Sequence, residues 1–152
     1  MNLIFSEERF IDAWPEFKVL AEMHWQETEL YRHGQTFLPD EKRYAEFNHS
    51  GFYRLFTVRD SDCDNRLVGD CGMYVTVSMH TQIPCAMEDT WFLLPSYRKG
   101  RNAIKFFKYI EERLKLLGVR EIICSTKITN RAGSLLEYMG YQHIANQYHK
   151  AV

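Results

Sequence analysis

The chain has 152 residues, 45% of them apolar, and a formal net charge of −1. That length suits one domain, residues 1–152, with a core of its own, and the near-neutral balance argues against nucleic acid as a partner held by bulk charge. No apolar run is long enough for a membrane span, and Met1–Glu8 lacks the basic start and apolar stretch of a signal peptide, so a cytoplasmic protein without membrane contact is expected.

Ser6 followed by Glu7 and Glu8 reads as a helix start, with Phe10, Trp14 and Phe17 on one face. Pro15 either interrupts that helix or opens a second one. Phe17, Leu20, Ala21, His24, Thr28 and Tyr31 continue at helical spacing towards Gly34. Residues 35–39 read as a loop, and Asp40 as the cap of a short helix through Phe47. From Phe52 the period changes to two. Phe52, Arg54, Phe56 and Val58 alternate, then residues 60–65 turn. A longer alternation sets Leu67, Gly69, Cys71, Met73, Val75, Val77 and Met79 on one face of a strand and Asp70, Tyr74, Thr76 and Ser78 on the other. A bend at His80–Pro84 leads into a strand from Met87 to Leu94.

A tight basic turn follows, carrying Arg98, Lys99, Gly100 and Arg101, and then a helix over Asn102–Leu117. Ala103, Phe107, Ile110, Leu114 and Leu117 form its apolar face, and Gly118 ends it. A strand that turns straight into a helix leaves the first helical N–H groups without partners, at the positive end of the helix dipole. That arrangement suits a phosphate, and the turn is read as the seat of a nucleotide cofactor's pyrophosphate. Residues 120–125 form a short strand. Thr129 or Asn130 caps a helix with Ala132, Leu135, Leu136 and Met139 inward, and Gly140 ends it. Residues 141–150 read as a last strand or pair of strands. This order implies an α/β (α+β) fold, a mixed sheet with helices on its faces. Cys63, Cys71, Cys85 and Cys124 show no C-x-x-C spacing, so reduced thiols are expected and no metal site.

These residues resemble the GCN5-related N-acetyltransferases. The likeness rests on Leu93-Leu94-Pro95-x-Tyr97-Arg98 and on a cofactor turn of the form Arg/Gln-x-x-Gly-x-Gly/Ala, here Arg98-Lys99-Gly100-Arg101-Asn102-Ala103. Arg98 and Ala103 fit. Arg101 replaces the middle glycine, with Gly100 one place earlier. Downstream, Leu136-Glu137-Tyr138-Met139-Gly140-Tyr141 is similar to the family's Tyr-Glu-x-x-Gly-Phe. His24-Trp25, His80 and Ala86-Met87-Glu88-Asp89 look like small members encoded by tailed bacteriophages.

The resemblance implies a mostly antiparallel central sheet with helices on both faces. It implies acetyl-coenzyme A (acetyl-CoA) as cofactor and acetyl transfer to a primary amine of a small molecule or a protein. The cofactor would lie against Phe92, Leu93, Leu94, Arg98, Lys99, Gly100, Arg101, Asn102, Ala103 and Asn130, with a backbone N–H near Leu93 on the thioester oxygen. Glu88 and Asp89 are the candidate bases. Neighbouring strand residues face opposite sides, so one of the two is expected in the cleft, and the family match favours Asp89. The family's tyrosine acid falls on Leu136, which leaves Tyr138 or water. His24, Trp25 and His80 are candidate acceptor contacts. Members often dimerise through their C-terminal strands, so a homodimer stays open. A cofactor-binding or virion-associated protein with little turnover is the alternative reading.

Overall fold

The computed structural model describes residues 2–152. The sheet begins with β1 (Leu3–Glu8), antiparallel to β2 (Tyr53–Asp60), so the helix start expected at Ser6 is a strand. The reason is long-range. Phe5 stacks on Phe106 at 5.6 Å, and the Glu8 carboxylate is held by Thr57 at 2.6 Å and Arg59 at 2.8 Å. Acidic residues that suit a helix N-terminus are instead paired by a neighbouring strand.

Helix α1 runs Phe10–Thr28 without a break, with Pro15 inside it. The carbonyl that Pro15 leaves without its helical partner belongs to Ile11, which is exposed, so water can serve it. The Phe10 N–H is capped from a distance by the side-chain oxygen Oδ1 of Asn48 at 2.9 Å. Helix α2 (Glu41–Ser50) starts as expected, with the Asp40 side chain accepting from the Arg43 N–H, and runs beyond Phe47 to Gly51 at φ +81°.

Strands β2, β3 (Arg66–Val77) and β4 (Pro84–Leu93) form an antiparallel meander, and β5 (Glu121–Ile123) joins β4 in parallel, giving the order β1-β2-β3-β4-β5. Met79, expected at the end of the long alternation, lies beyond β3 in the hairpin turn. Register places Phe5, Phe56, Cys71 and Trp91 on one face, under helix α3 (Asn102–Leu116). There Trp91 meets Phe107 at 4.5 Å, and Phe106, Phe107, Ile110 and Leu114 are buried. The other face carries Tyr53, Tyr74 and Phe92 beneath α1 and α2, with Tyr53 meeting Tyr44 at 5.0 Å. Both faces of the sheet are thus covered by helices, as expected.

Helix α4 (Ala132–Tyr138) follows, with Leu136 buried. The strand expected at residues 141–150 is not formed. Among the described residues no strand follows Ile123, and Ile144 and Tyr148 are exposed. With β5 only three residues long, the sheet edge offers little ladder for another strand to join.

Gly72 sits where the Tyr53 hydroxyl crosses β3. Any Cβ there would overlap that oxygen, and Tyr53 is fully buried. Gly72→Ala is expected to cost about 1–3 kcal/mol of stability, read as a lower urea midpoint at unchanged slope.

Candidate active site where two parallel strands part

Strands β4 and β5 pair only at Cys85–Glu121, Ala86–Ile122 and Met87–Ile123. The next rung is taken by a side chain: the Glu88 carboxylate accepts the Ser125 N–H at 3.1 Å. Beyond it no further rung forms, and the outer edge of β4 from Glu88 to Leu93 has no strand beside it. The Leu94 N–H donates inward to the Val68 carbonyl at 2.9 Å. By the alternation of a strand, the N–H groups of Trp91 and Leu93 therefore point to that open edge.

The register slips between Gly72 and Met73, which pair with Thr90 and Glu88, so Asp89 is the extra residue of a bulge. Its carboxylate accepts from the Tyr44 hydroxyl at 2.9 Å, on the α1–α2 face. Glu88 pairs with Met73, on the α3 face. The two carboxylates thus face different sides, as the alternation requires, but it is Glu88 that reaches into the gap between the strands.

Burial pushes Glu88 up to about 7, although the Ser125 N–H favours its charged form. Burial also raises Asp89, against the hydrogen bond from the Tyr44 hydroxyl. A third carboxylate escaped sequence reading. Asp70 is fully buried in β3, accepts from the Thr90 hydroxyl at 3.1 Å, and is pushed up to about 8 by burial. Its other oxygen and the Tyr53 hydroxyl have no hydrogen-bond partner. Three carboxylates near one strand could have been suspected from the face shared by Asp70 and Tyr74.

At the far end of β4, a short 3₁₀ turn (Pro95–Tyr97) leads to Gly100 at φ +58° and the start of α3. A Cβ at Gly100 would meet nothing within 4 Å. No side chain caps α3, its first turn carries no acidic residue, and among the described residues no acceptor faces the N–H groups of Ala103 and Ile104. Lys99 and Arg101 are exposed beside it. Arg98 is committed elsewhere. Its Nε donates to the Leu93 carbonyl at 2.6 Å and its two Nη atoms to Glu27 at 2.8 and 2.7 Å.

His24 stacks on Phe92 at 5.3 Å, which places it at the end of β4, and burial lowers its pKa. Glu29, at the end of α1, pairs with Lys127 at 2.8 Å on the β5 side. Trp25 packs on Phe37 at 5.8 Å, away from the sheet core. His80 is exposed in the β3–β4 turn, at the opposite end of β4 from Leu93, and the structure does not bring it to the gap. The cap of α4 is Arg131 rather than Thr129 or Asn130, and the Asn130 side chain, one residue earlier, accepts the Ala132 N–H at 3.0 Å. Tyr138 is exposed, on the other side of α4 from buried Leu136. Among the described residues no group of three or more His, Cys, Asp or Glu could hold a metal, and no helix is long and apolar enough to cross a membrane.

No family model and no curated protein matches the sequence. Solved structures match it along nearly its whole length. An aminoglycoside acetyltransferase from an uncultured soil metagenomic sample, in complex with sisomicin, is 12% identical, covers 99% of this chain and 96% of its own, and superposes at a TM-score of 0.75. The ribosomal-protein-alanine N-acetyltransferase of Brucella melitensis biovar Abortus 2308 is 14% identical, with 99% of each chain covered and a TM-score of 0.71. The glucosamine-6-phosphate N-acetyltransferase of Arabidopsis thaliana is 11% identical, with 99% of each chain covered and a TM-score of 0.72. The chain has the GCN5-related N-acetyltransferase fold.

Proposed function

We propose that residues 1–152 act as one domain that transfers an acetyl group from acetyl-CoA to a primary amine. The observation that carries this reading is the pairing of an uncapped, acid-free α3 start with an open β4 edge that begins at Glu88. The residues present fit the cofactor. The N–H groups of Ala103 and Ile104, with Lys99 and Arg101 beside them, would hold its pyrophosphate, and open space at Gly100 lets the backbone approach. Phe92, Leu93 and Leu94 would line its path, with Asn102 and Asn130 at its sides. When bound, acetyl-CoA supplies the acetyl group as a thioester.

The chain's own part is to place donors and move protons. The Leu93 N–H, on the open edge, would stabilise negative charge developing on a thioester oxygen bound there. Glu88 Oε takes the proton of the attacking amine, and a carboxyl at about 7 is matched to that task near neutral pH. Asp89, held by Tyr44, faces the helices that would receive the acceptor amine, with His24 at the end of β4. Leu136 is buried hydrocarbon and Tyr138 turns to solvent, so the departing thiolate would take its proton from water rather than from α4.

Isothermal titration with acetyl-CoA is expected to give a micromolar site, since several hydrogen bonds to charged groups contribute roughly 1.5–3 kcal/mol each. Lys99→Ala/Arg101→Ala is expected to weaken it. Absence of heat at high micromolar cofactor would sink the reading. A second reading, a cofactor-binding protein with little turnover, is favoured by Leu136. Cofactor that binds without thiol release, across a panel of amines and lysine peptides, would select it.

A further inference from the structure

We propose that Arg98 and Glu27 form a positioning pair that fixes the end of β4 to α1, so that the Leu93 edge and the acceptor-side helix move as one body. The inference rests on the acetyltransferase reading above. It assigns the Arg98 side chain to the protein's own backbone rather than to the cofactor.

The peptide between Leu93 and Leu94 is gripped on both sides. Its carbonyl accepts from Arg98 Nε at 2.6 Å, and its N–H donates to the Val68 carbonyl at 2.9 Å. The Arg98 backbone N–H is also used, donating to the Pro95 carbonyl at 3.2 Å. Of the five donors of the guanidinium, one goes to Leu93 and two form a fork on Glu27 at 2.8 and 2.7 Å. The guanidinium lies 5.1 Å from the Phe92 ring centroid, and His24 of α1 stacks on the same ring at 5.3 Å. One arginine therefore ties together the last residue of β4, the turn after it and the last turns of α1. The Glu27 carboxyl is held below its usual range chiefly by the hydrogen bond from Arg98. The Leu93 N–H belongs to the same residue as the gripped carbonyl, across one Cα, and an oxyanion donor works only if its direction is fixed before reaction.

Two variants test this, Arg98→Lys and Glu27→Gln. Lys keeps the charge but loses the planar fork and the Nε donor. Gln keeps the shape but removes the charge. Glu27 lies at the surface, so its variant tests the pair even where Arg98→Lys folds poorly. Both are expected to bind acetyl-CoA about as tightly as the wild type, while kcat falls about tenfold to a hundredfold, because misplacement alone costs that much. The double variant is expected to be no worse than Arg98→Lys alone. Amide exchange at Leu94, which needs no activity, is expected to quicken about tenfold in both. A large loss of cofactor affinity in Arg98→Lys with kcat unchanged would make Arg98 a phosphate ligand and overturn the proposal. Unchanged exchange at Leu94 would overturn it as well. If the wild type itself neither binds acetyl-CoA nor turns over, the function fails, and exchange at Leu94 still decides the pairing.

Discussion

Glu88→Gln is expected to lower kcat by about 10²–10⁴, the usual contribution of a general base. The substitution keeps an oxygen that can accept the Ser125 N–H, so the parting of β4 and β5 is preserved and the loss reads chemistry rather than folding. The pH profile supplies the sign. A base must be deprotonated to act, and burial pushes Glu88 up to about 7, so kcat/KM in the wild type rises with pH through a midpoint near 7. In Glu88→Gln that inflection disappears. Asp89→Asn is the comparison. Its carboxylate is held by Tyr44 outside the gap, so a much smaller fall in kcat is expected. The opposite ranking of the two variants would move the base to Asp89.

Asp70→Asn is expected to change the dependence of stability on pH between the ordinary carboxylate range and about 8. Burial pushes the folded Asp70 carboxyl from 3.8 up to about 8, so the folded chain keeps a proton that the unfolded chain releases. Where the native state binds more protons, stability falls as pH rises. The contribution of Asp70 is therefore full below the unfolded value and is lost as pH climbs through about 8. Across that window each pH unit costs about 1.4 kcal/mol. Asn at position 70 cannot ionise. Its amide leaves one more unpaired donor in a fully buried place, a cost that does not vary with pH. The stability of Asp70→Asn relative to wild type, from urea melts, is expected to climb from pH 4 towards pH 8 and then level off. A difference that stays constant over that range would show that Asp70 is not held neutral by the fold.

Local pattern carried much of the architecture. The four-and-three spacing of Phe107, Ile110 and Leu114 is a property of α3 alone, and so is the basic turn before it. The alternation survives as β3 from Gly69 onwards, but a register shift at Val58/Arg59 leaves Val68 as an extra residue and takes Leu67 off the face expected for it. What the sequence hid depends on partners far along the chain. Ser6-Glu7-Glu8 looks like a helix start until Arg59 and Arg54 are placed beside it. The Arg98–Glu27 fork joins residues 71 apart, and no local rule links them. The open edge at Leu93 was legible only through the family resemblance. The exposed tail after Tyr141 shows the reverse case, where Tyr141, Ile144 and Tyr148 suggest a strand but the sheet offers no neighbour.

The one-residue bulge at Asp89 gives two sequence neighbours separate custodians. Asp89 answers to Tyr44 of α2, whereas Glu88 answers to Ser125 and the ground beneath α3. Changes in the acceptor-facing helices can therefore retune one acid without disturbing the other, so selectivity and proton abstraction are free to drift apart on a single strand.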